Sequence, residues 1–171
     1  MKLKALCITV SLLTLPGVAS AQGGFGSLTK AAGDAGKSAV EKRVNTKLMD
    51  EGRANQCSFK TGTATLEPGC DAKLKKLTNA LVDAKKQLVA AGLKSYKFEV
   101  SGHTDSTGDA AKNKALSEQR AETIVKELIA RGIPRSEIIA VGYGSEKMLV
   151  KPDDTAAKKA KNRRYELQVR L

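Results

Sequence analysis

Apolar residues recur at helical spacing in three stretches of this chain. In "KSAVEKRVNTKLMDEG", Val40, Val44 and Leu48 fall at steps of four and predict a charged helix with one apolar stripe over 37–52. Such a stripe can pack on the domain, pair with another chain or lie on a membrane surface, and the first is the default. In "DAKLKKLTNALVDAKKQLVAAG", Leu74, Leu77, Leu81, Ala84 and Leu88 share a face. Asp71 can cap or charge the start of that helix, and Gly92 suits the position just past its end. The third helix is expected over 109–131 and closed by Gly132, with Leu116, Ala121, Ile124, Val125, Leu128 and Ile129 as its core stripe.

Between the helices the period changes to two. "SYKFEVSGHTD" alternates, with Tyr96, Phe98 and Val100 on one side and Lys97, Glu99 and Ser101 on the other, which predicts a strand over 96–101. "EIIAVGYG" reads as another strand, and "RYELQVRL" as a last one with Tyr165, Leu167, Val169 and Leu171 inward. "CSFK" is a short strand candidate before the Pro68-Gly69 turn, and "TAAKKAKN" a short helix or turn. The order is strand, helix, strand, helix, strand, short helix, strand. Helices with one apolar face need a sheet to cover, and polar alternation leaves one sheet face to solvent. The expected fold is a two-layer α/β (α+β) sandwich, a four-stranded mixed sheet with the two main helices on one face.

The first residues follow other rules. Lys2 and Lys4 precede an apolar run to Val18, which closes on Ala19-Ser20-Ala21. A charged start, a run too short to span a bilayer and a small-residue cleavage site predict an export signal over 1–21. The alternative is a buried N-terminal helix. Cys7 leaves with the signal and lies too early to be an acylation site, so no lipid anchor is expected. Residues 22–36, rich in Gly and Ala, read as a flexible tether, giving an N-terminal extension over 22–56 and a domain over 57–171.

Export changes the reading of the cysteines. Cys57 and Cys70 remain as an even pair, which argues for a disulfide. In the chain-entropy model a loop of that length stabilises the fold by about 3 kcal/mol. A metal pair lacks partners, since His103 is the only histidine. The formal net charge is +12, reduced by two with the signal, and it favours anionic partners. Aromatics make up 4% of the chain and Trp is absent, so base-stacking platforms are poorly supplied and nucleic acid is not an expected partner.

One cation is oddly placed. Arg120 lies between Leu116 and Ile124, one turn from each, and within about 20° of Asn113 around the helix. The loop "GHTDSTG" leaves a strand end just before that helix, with Asp105 at its centre. Strand ends feeding helix starts are common places for ligand loops. A carboxylate from the loop and a guanidinium from the helix would face one cleft. The plainer alternatives are an Asx turn for Asp105, and for Arg120 a stem laid over Leu116 with its head in water or an imperfect pairing with Glu118 or Glu127.

"FEVSGHTDSTGDAAKNKALSEQRAETIVKELIARGIPRSEIIAVGYG", followed by "NRRYELQV", resembles the OmpA-like C-terminal domain, a family of periplasmic peptidoglycan-binding domains. "FKTGTATLEPG" resembles its opening strand and loop. The resemblance implies non-covalent binding of the diaminopimelate of the wall's stem peptide. Asp105 would receive the ligand ammonium and Arg120 its carboxylate. Thr104, Asn113 and Arg164 match positions at the site, and Leu116 would form an apolar wall. The chain departs from the family in the absence of a β-barrel or an acylated cysteine, and of a proline in "SEKMLVKPDD" soon after the glycine pair.

The expected function is envelope anchoring or organisation by an exported, periplasmic protein, outer-membrane associated if an anchor exists. No catalysis and no cofactor is expected. A further envelope partner, or self-association, would use the N-terminal segment. The rival readings are an accessory to cell-wall hydrolysis and a basic structural protein without a working site. No nucleophile–base pair, zinc set or pair of catalytic acids stands out in favour of hydrolysis.

Overall fold

The computed structural model describes residues 24–171, with side chains from residue 34 onward. The expected signal over 1–21, Cys7 included, lies outside the described residues. Helix α1 spans Gly24–Ala54, α2 Asp71–Ala90 and α3 Ala110–Ala130, with a short α4 at Ala156–Asn162. Strands β1 (Lys97–His103), β2 (Ile138–Gly144) and β3 (Tyr165–Arg170) form one sheet in the order β2-β1-β3. β1 runs parallel to β2 and antiparallel to β3, so the sheet is mixed.

α1 begins at Gly24, so the segment read as a tether is helical from there. Val44 and Leu48 are each 1% exposed and belong to the same core as α2, α3 and the sheet. The apolar stripe of α1 therefore packs on the domain. α2 ends as its sequence implied: Gly92 takes φ +74°, and Leu93 N donates to Leu88 O at 2.9 Å. Phe98 and Val100 of β1, Leu167 and Val169 of β3 and Ile138 of β2 meet Leu74, Leu77, Leu81, Ile124 and Leu128 in that core.

The expected fourth strand is a correction. Residues 57–60 form no strand of the sheet, and among the described residues their pairing is a single antiparallel bridge, Phe59 to Leu66. The place beside β3 is taken by side-chain amides from the α1 end of the chain. Asn45 donates to Val169 O at 3.2 Å and accepts from Val169 N at 2.6 Å. Gln56 donates to Tyr165 O at 2.8 Å and accepts from Tyr165 N at 3.2 Å. Each primary amide presents a donor and an acceptor as a peptide group does, so part of the β3 edge is satisfied without a strand.

The third helix buries the stripe read for it at Ala121, Ile124, Val125 and Leu128, with Ile129 packed against them, and differs from it at the N-terminal end. Leu116 is only half-buried, whereas Ser117 is completely buried. The cause lies in the strands opposite. A Cβ on Gly102 would stand 2.1 Å from Ser117 O, and one on Gly142 would stand 2.6 Å from Lys114 O. Backbone meets backbone there, leaving room for a hydroxyl and not for a leucine. Ser117 Oγ fills the gap, accepting from Gly144 N at 2.9 Å and donating to Lys114 O at 2.8 Å.

The sheet face expected to be solvated is polar but covered. Glu99, Ser101 and His103 are buried under long neighbours. Arg170 reaches Glu99 with Nε at 3.0 Å and a second nitrogen at 3.2 Å, joined by Gln168 and Tyr143.

Candidate binding site

The site begins where β1 ends. Thr104 N donates to Gly144 O at 2.9 Å, and the loop then turns over Asp105 into α3. Asp105 Oδ1 accepts from Thr107 N at 2.9 Å, which is the Asx turn read as the plain alternative. The turn uses one oxygen. Oδ2 accepts from Arg163, just past α4, at 2.7 Å. Ser106 is held by Asp153, whose Oδ2 accepts from Ser106 N at 2.9 Å and whose Oδ1 accepts from Ser106 Oγ. Those bonds, the hydroxyl's first, pull the Asp153 carboxyl down to about 2. Asn162 braces the same corner, donating to Asp153 Oδ2 and Val150 O and accepting from Leu149 N.

Arg120 stands opposite. Its guanidinium carbon lies 5.1 Å from the centre of the Phe59 ring, and its Nε donates to Thr63 O at 2.9 Å. No carboxylate pairs with it among the described residues. The stem does not simply carry the head to water; the head is docked on the hairpin after Cys57. Burial lowers the Arg120 pKa first, nearby Arg163 lowers it further, and Asp105 works the other way. For Asp105, burial is the largest influence and raises the carboxyl. The Arg163 and Thr107 hydrogen bonds together outweigh it and leave the group below its ordinary value.

Asp105, Arg120 and Arg163 line one cavity of about 580 Å³, closed on the other side by Gln56, the hairpin residues Phe59, Thr61 and Gly62, and Ala160 of α4. The loop carboxylate and the helical guanidinium therefore share a cleft. The arrangement offers one anion that already has a partner and one cation that has none, which suits a ligand bearing both charges.

The other residues named from sequence sit around this pair. Thr104 is buried and its hydroxyl donates to Asp105 O at 3.0 Å. Asn113 donates to Thr107 O at 2.9 Å and so supports the loop from α3. Neither lines the cavity, and neither does the half-buried Leu116. Arg164 is turned away from Asp105: its Nε donates to Glu166 at 2.7 Å and its other nitrogens reach the carbonyls of Asn162 and Lys147. It lines a void of about 30 Å³ with His103 and Tyr165, and that void adjoins the cleft, sharing Gln56, Cys57, Phe59, Arg120 and Arg163 with it. The sequence reading missed Arg163 and Phe59. "NRR" offered two arginines, and the alternation of β3 gave no phase for residues before the strand.

The OmpA family model matches residues 58–163. Among curated proteins, "Outer membrane porin F" of Pseudomonas fluorescens is 46% identical over 71 residues, covering 42% of this chain and 22% of the porin. "Probable lipoprotein YiaD" of Escherichia coli (strain K12) is 36% identical over 116 residues, covering 66% of this chain and 47% of the lipoprotein. The chain thus spans less than half the length of both. Among solved structures, the peptidoglycan-associated lipoprotein from Burkholderia pseudomallei aligns with TM-score 0.55 at 23% identity, covering 67% of this chain and 89% of that one. A putative MotB like protein from Desulfovibrio vulgaris aligns with TM-score 0.57 at 19% identity, covering 83% and 94%. These alignments establish a shared fold.

Proposed function

From the premise that this chain belongs to the OmpA family, we propose that it binds peptidoglycan non-covalently through the diaminopimelate of the stem peptide. It would act in the cell envelope as an exported anchoring or organising protein and not as an enzyme. The observation that carries the reading is the cavity shared by Asp105 and Arg120. The free end of diaminopimelate is a zwitterion. Arg120 would take its carboxylate, because a planar guanidinium can donate two parallel hydrogen bonds. Asp105 would take its ammonium, sharing its outer oxygen with Arg163 or gaining it when Arg163 swings away. Arg163 is about half exposed and its side chain is held by Asp105, whereas Asp105 is also tied to Thr107.

The remaining expected residues take supporting roles in this reading. Thr104 and Asn113 hold the loop, Leu116 borders it, and Arg164 sets the backbone behind it. A periplasmic site, with outer-membrane association through some other part of the protein, is the proposed location. An envelope partner or self-association through the N-terminal segment is also proposed. It would use the exposed surface of α1, since Val40, Val44 and Leu48 face the domain.

A sacculus pull-down tests the reading. Asp105→Ala and Arg120→Ala should each lose about 2 to 5 kcal/mol of binding, because each leaves one ligand charge desolvated and unmatched. Arg120→Lys should also bind poorly, since a point charge replaces a fork. Retention of wild-type affinity by both alanine variants would remove diaminopimelate as the ligand. Release of muropeptides from sacculi by the purified protein would favour hydrolysis instead.

A further inference from the structure

We propose that the Cys57–Cys70 disulfide gates the cavity, by mounting the hairpin that positions Arg120, so that ligand capture depends on redox state. The proposal rests on the diaminopimelate reading above. Arg120 belongs to α3, but its head is placed by residues 57–70. Phe59 lies under the guanidinium and Thr63 O accepts from its Nε. One turn further along α3, Thr123 Oγ1 donates to Ala64 O at 3.0 Å. The same hairpin brings Phe59, Thr61 and Gly62 to the cavity wall. Phe59 and the Thr63 carbonyl are thus positioning groups for the carboxylate-binding arginine.

The hairpin has its own short ladder. Glu67 N donates to Ser58 O and Lys60 N to Thr65 O, both at 2.9 Å. Its attachment is less even. The outgoing leg is tied through Gln56 and through Cys57 N, which donates to Tyr165 Oη at 3.1 Å. On the returning leg, neither Pro68 nor Gly69 has a backbone hydrogen bond among the described residues. The disulfide joins that leg, at the start of α2, to the anchored one, with Cα atoms 5.6 Å apart. Opening it leaves the hairpin paired within itself, with Phe59 and Leu66 against the core and Ala64 O held by Thr123, but removes the cross-link that fixes its returning leg, so that Phe59 and Thr63 O shift relative to Arg120.

The chemistry is thiol–disulfide exchange with a dithiol reductant. The dithiol supplies two electrons and two protons; the Cys57–Cys70 bond breaks to two thiols, and the reductant closes to its own disulfide. Cys57 is among the residues lining the cavity, and both cysteines are buried, at 6% and 8% exposed. Coupling is reciprocal: whatever factor reduction takes from ligand affinity, bound ligand must return as resistance to reduction.

The test titrates oxidised and dithiothreitol-reduced protein with a diaminopimelate-containing muropeptide, in free-carboxylate and carboxamide forms. Folding is followed by circular dichroism. The reduced, folded protein should bind the free carboxylate at least tenfold more weakly and lose its preference over the carboxamide. Saturating muropeptide should shift the dithiothreitol equilibrium toward the disulfide by the same factor. With the disulfide intact, Phe59→Leu should reproduce the lost preference, and Phe59→Tyr, which keeps a ring, should restore it. Equal affinity in both redox states of the folded protein overturns the gate. If reduction unfolds the domain, the two Phe59 variants decide, and an unchanged preference in Phe59→Leu overturns it. Failure of the oxidised wild type to bind either muropeptide sinks the functional reading itself, and the gate with it.

Discussion

At the end of β1, His103 is kept uncharged by its surroundings. It is 2% exposed, its ring stacks on Tyr143, and Nε2 lies 3.3 Å from Ser101 Oγ. Nδ1 has no hydrogen-bond partner. Burial is the main cause of a pKa lowered to about 4; Arg164 and Lys147 add to it, while Glu166 and Glu99 oppose it. An unfolded chain would protonate the same ring near ~6.5. Between those values the unfolded state binds more protons, so stability is complete above the upper value and is lost as pH falls toward the lower one. The loss is bounded by about 3 kcal/mol. Urea unfolding at pH 7 and pH 4.5 should show the drop in wild type and a much smaller one in His103→Gln; equal drops would refute it. Asp153 acts separately, since its carboxyl is lowered from 3.8 to about 2 and its contribution fades only in that more acid range. Residue types made Asp105 and Arg120 legible in the sequence, as opposite charges on a loop and on a helix edge. Arg163 was not, because the end of α4 sets its direction.

Periodicity revealed the elements better than their contacts. α2 shows the face predicted from its leucines, because a 3.6-residue repeat needs no knowledge of the partner. The four residues "CSFK" could not tell whether a strand or an amide would meet β3, since alternation marks a face and not a neighbour. One end of α3 was hidden for a related reason: glycines forty residues apart on other strands draw Ser117 into the core and leave Leu116 at its edge. Gly102→Ala tests that close approach. Its Cβ would collide with a backbone carbonyl, which has no rotamer to yield, so the cost should reach the upper end of overpacking, about 3 kcal/mol. Gly102 immediately precedes His103, and Ser117 lies one turn before Arg120. Variant protein that still folds should therefore also bind sacculi less well, as the loop and helix are pushed apart. Unfolding by urea and a pull-down on the same preparation check both effects, and near-wild-type stability would show that α3 can shift freely.

For the whole molecule, the positive charge and α1 have separate consequences. Excess charge acts at long range, drawing the protein toward an anionic surface, and it leaves the choice of ligand to the cleft. The sequence marks α1 as an extension whose stripe packs on the domain by default, but the amide and carbonyl contacts that tie it to β3 are long-range and local pattern does not encode them. Val44 and Leu48 are buried against the domain, Asn45 satisfies Val169 on β3, and Tyr165 Oη donates to Asn55 O at 2.6 Å. Residues 34–39, by contrast, are exposed. Two truncations should therefore differ sharply. Removal through Gly36 takes away none of these contacts and should leave the melting temperature within a few degrees of wild type. Removal through Gly52 deletes the core side chains Val44 and Leu48, the leucine alone worth about 2 to 5 kcal/mol, and leaves the Val169 peptide groups without their Asn45 partner. Set against a typical domain stability of about 5–15 kcal/mol, that loss should abolish cooperative melting or lower it drastically. Similar melting of the two truncations would mean that α1 is dispensable. If they differ as expected, loss of wall binding on the longer deletion reports unfolding, and only the shorter one can test for a partner of the N-terminal segment.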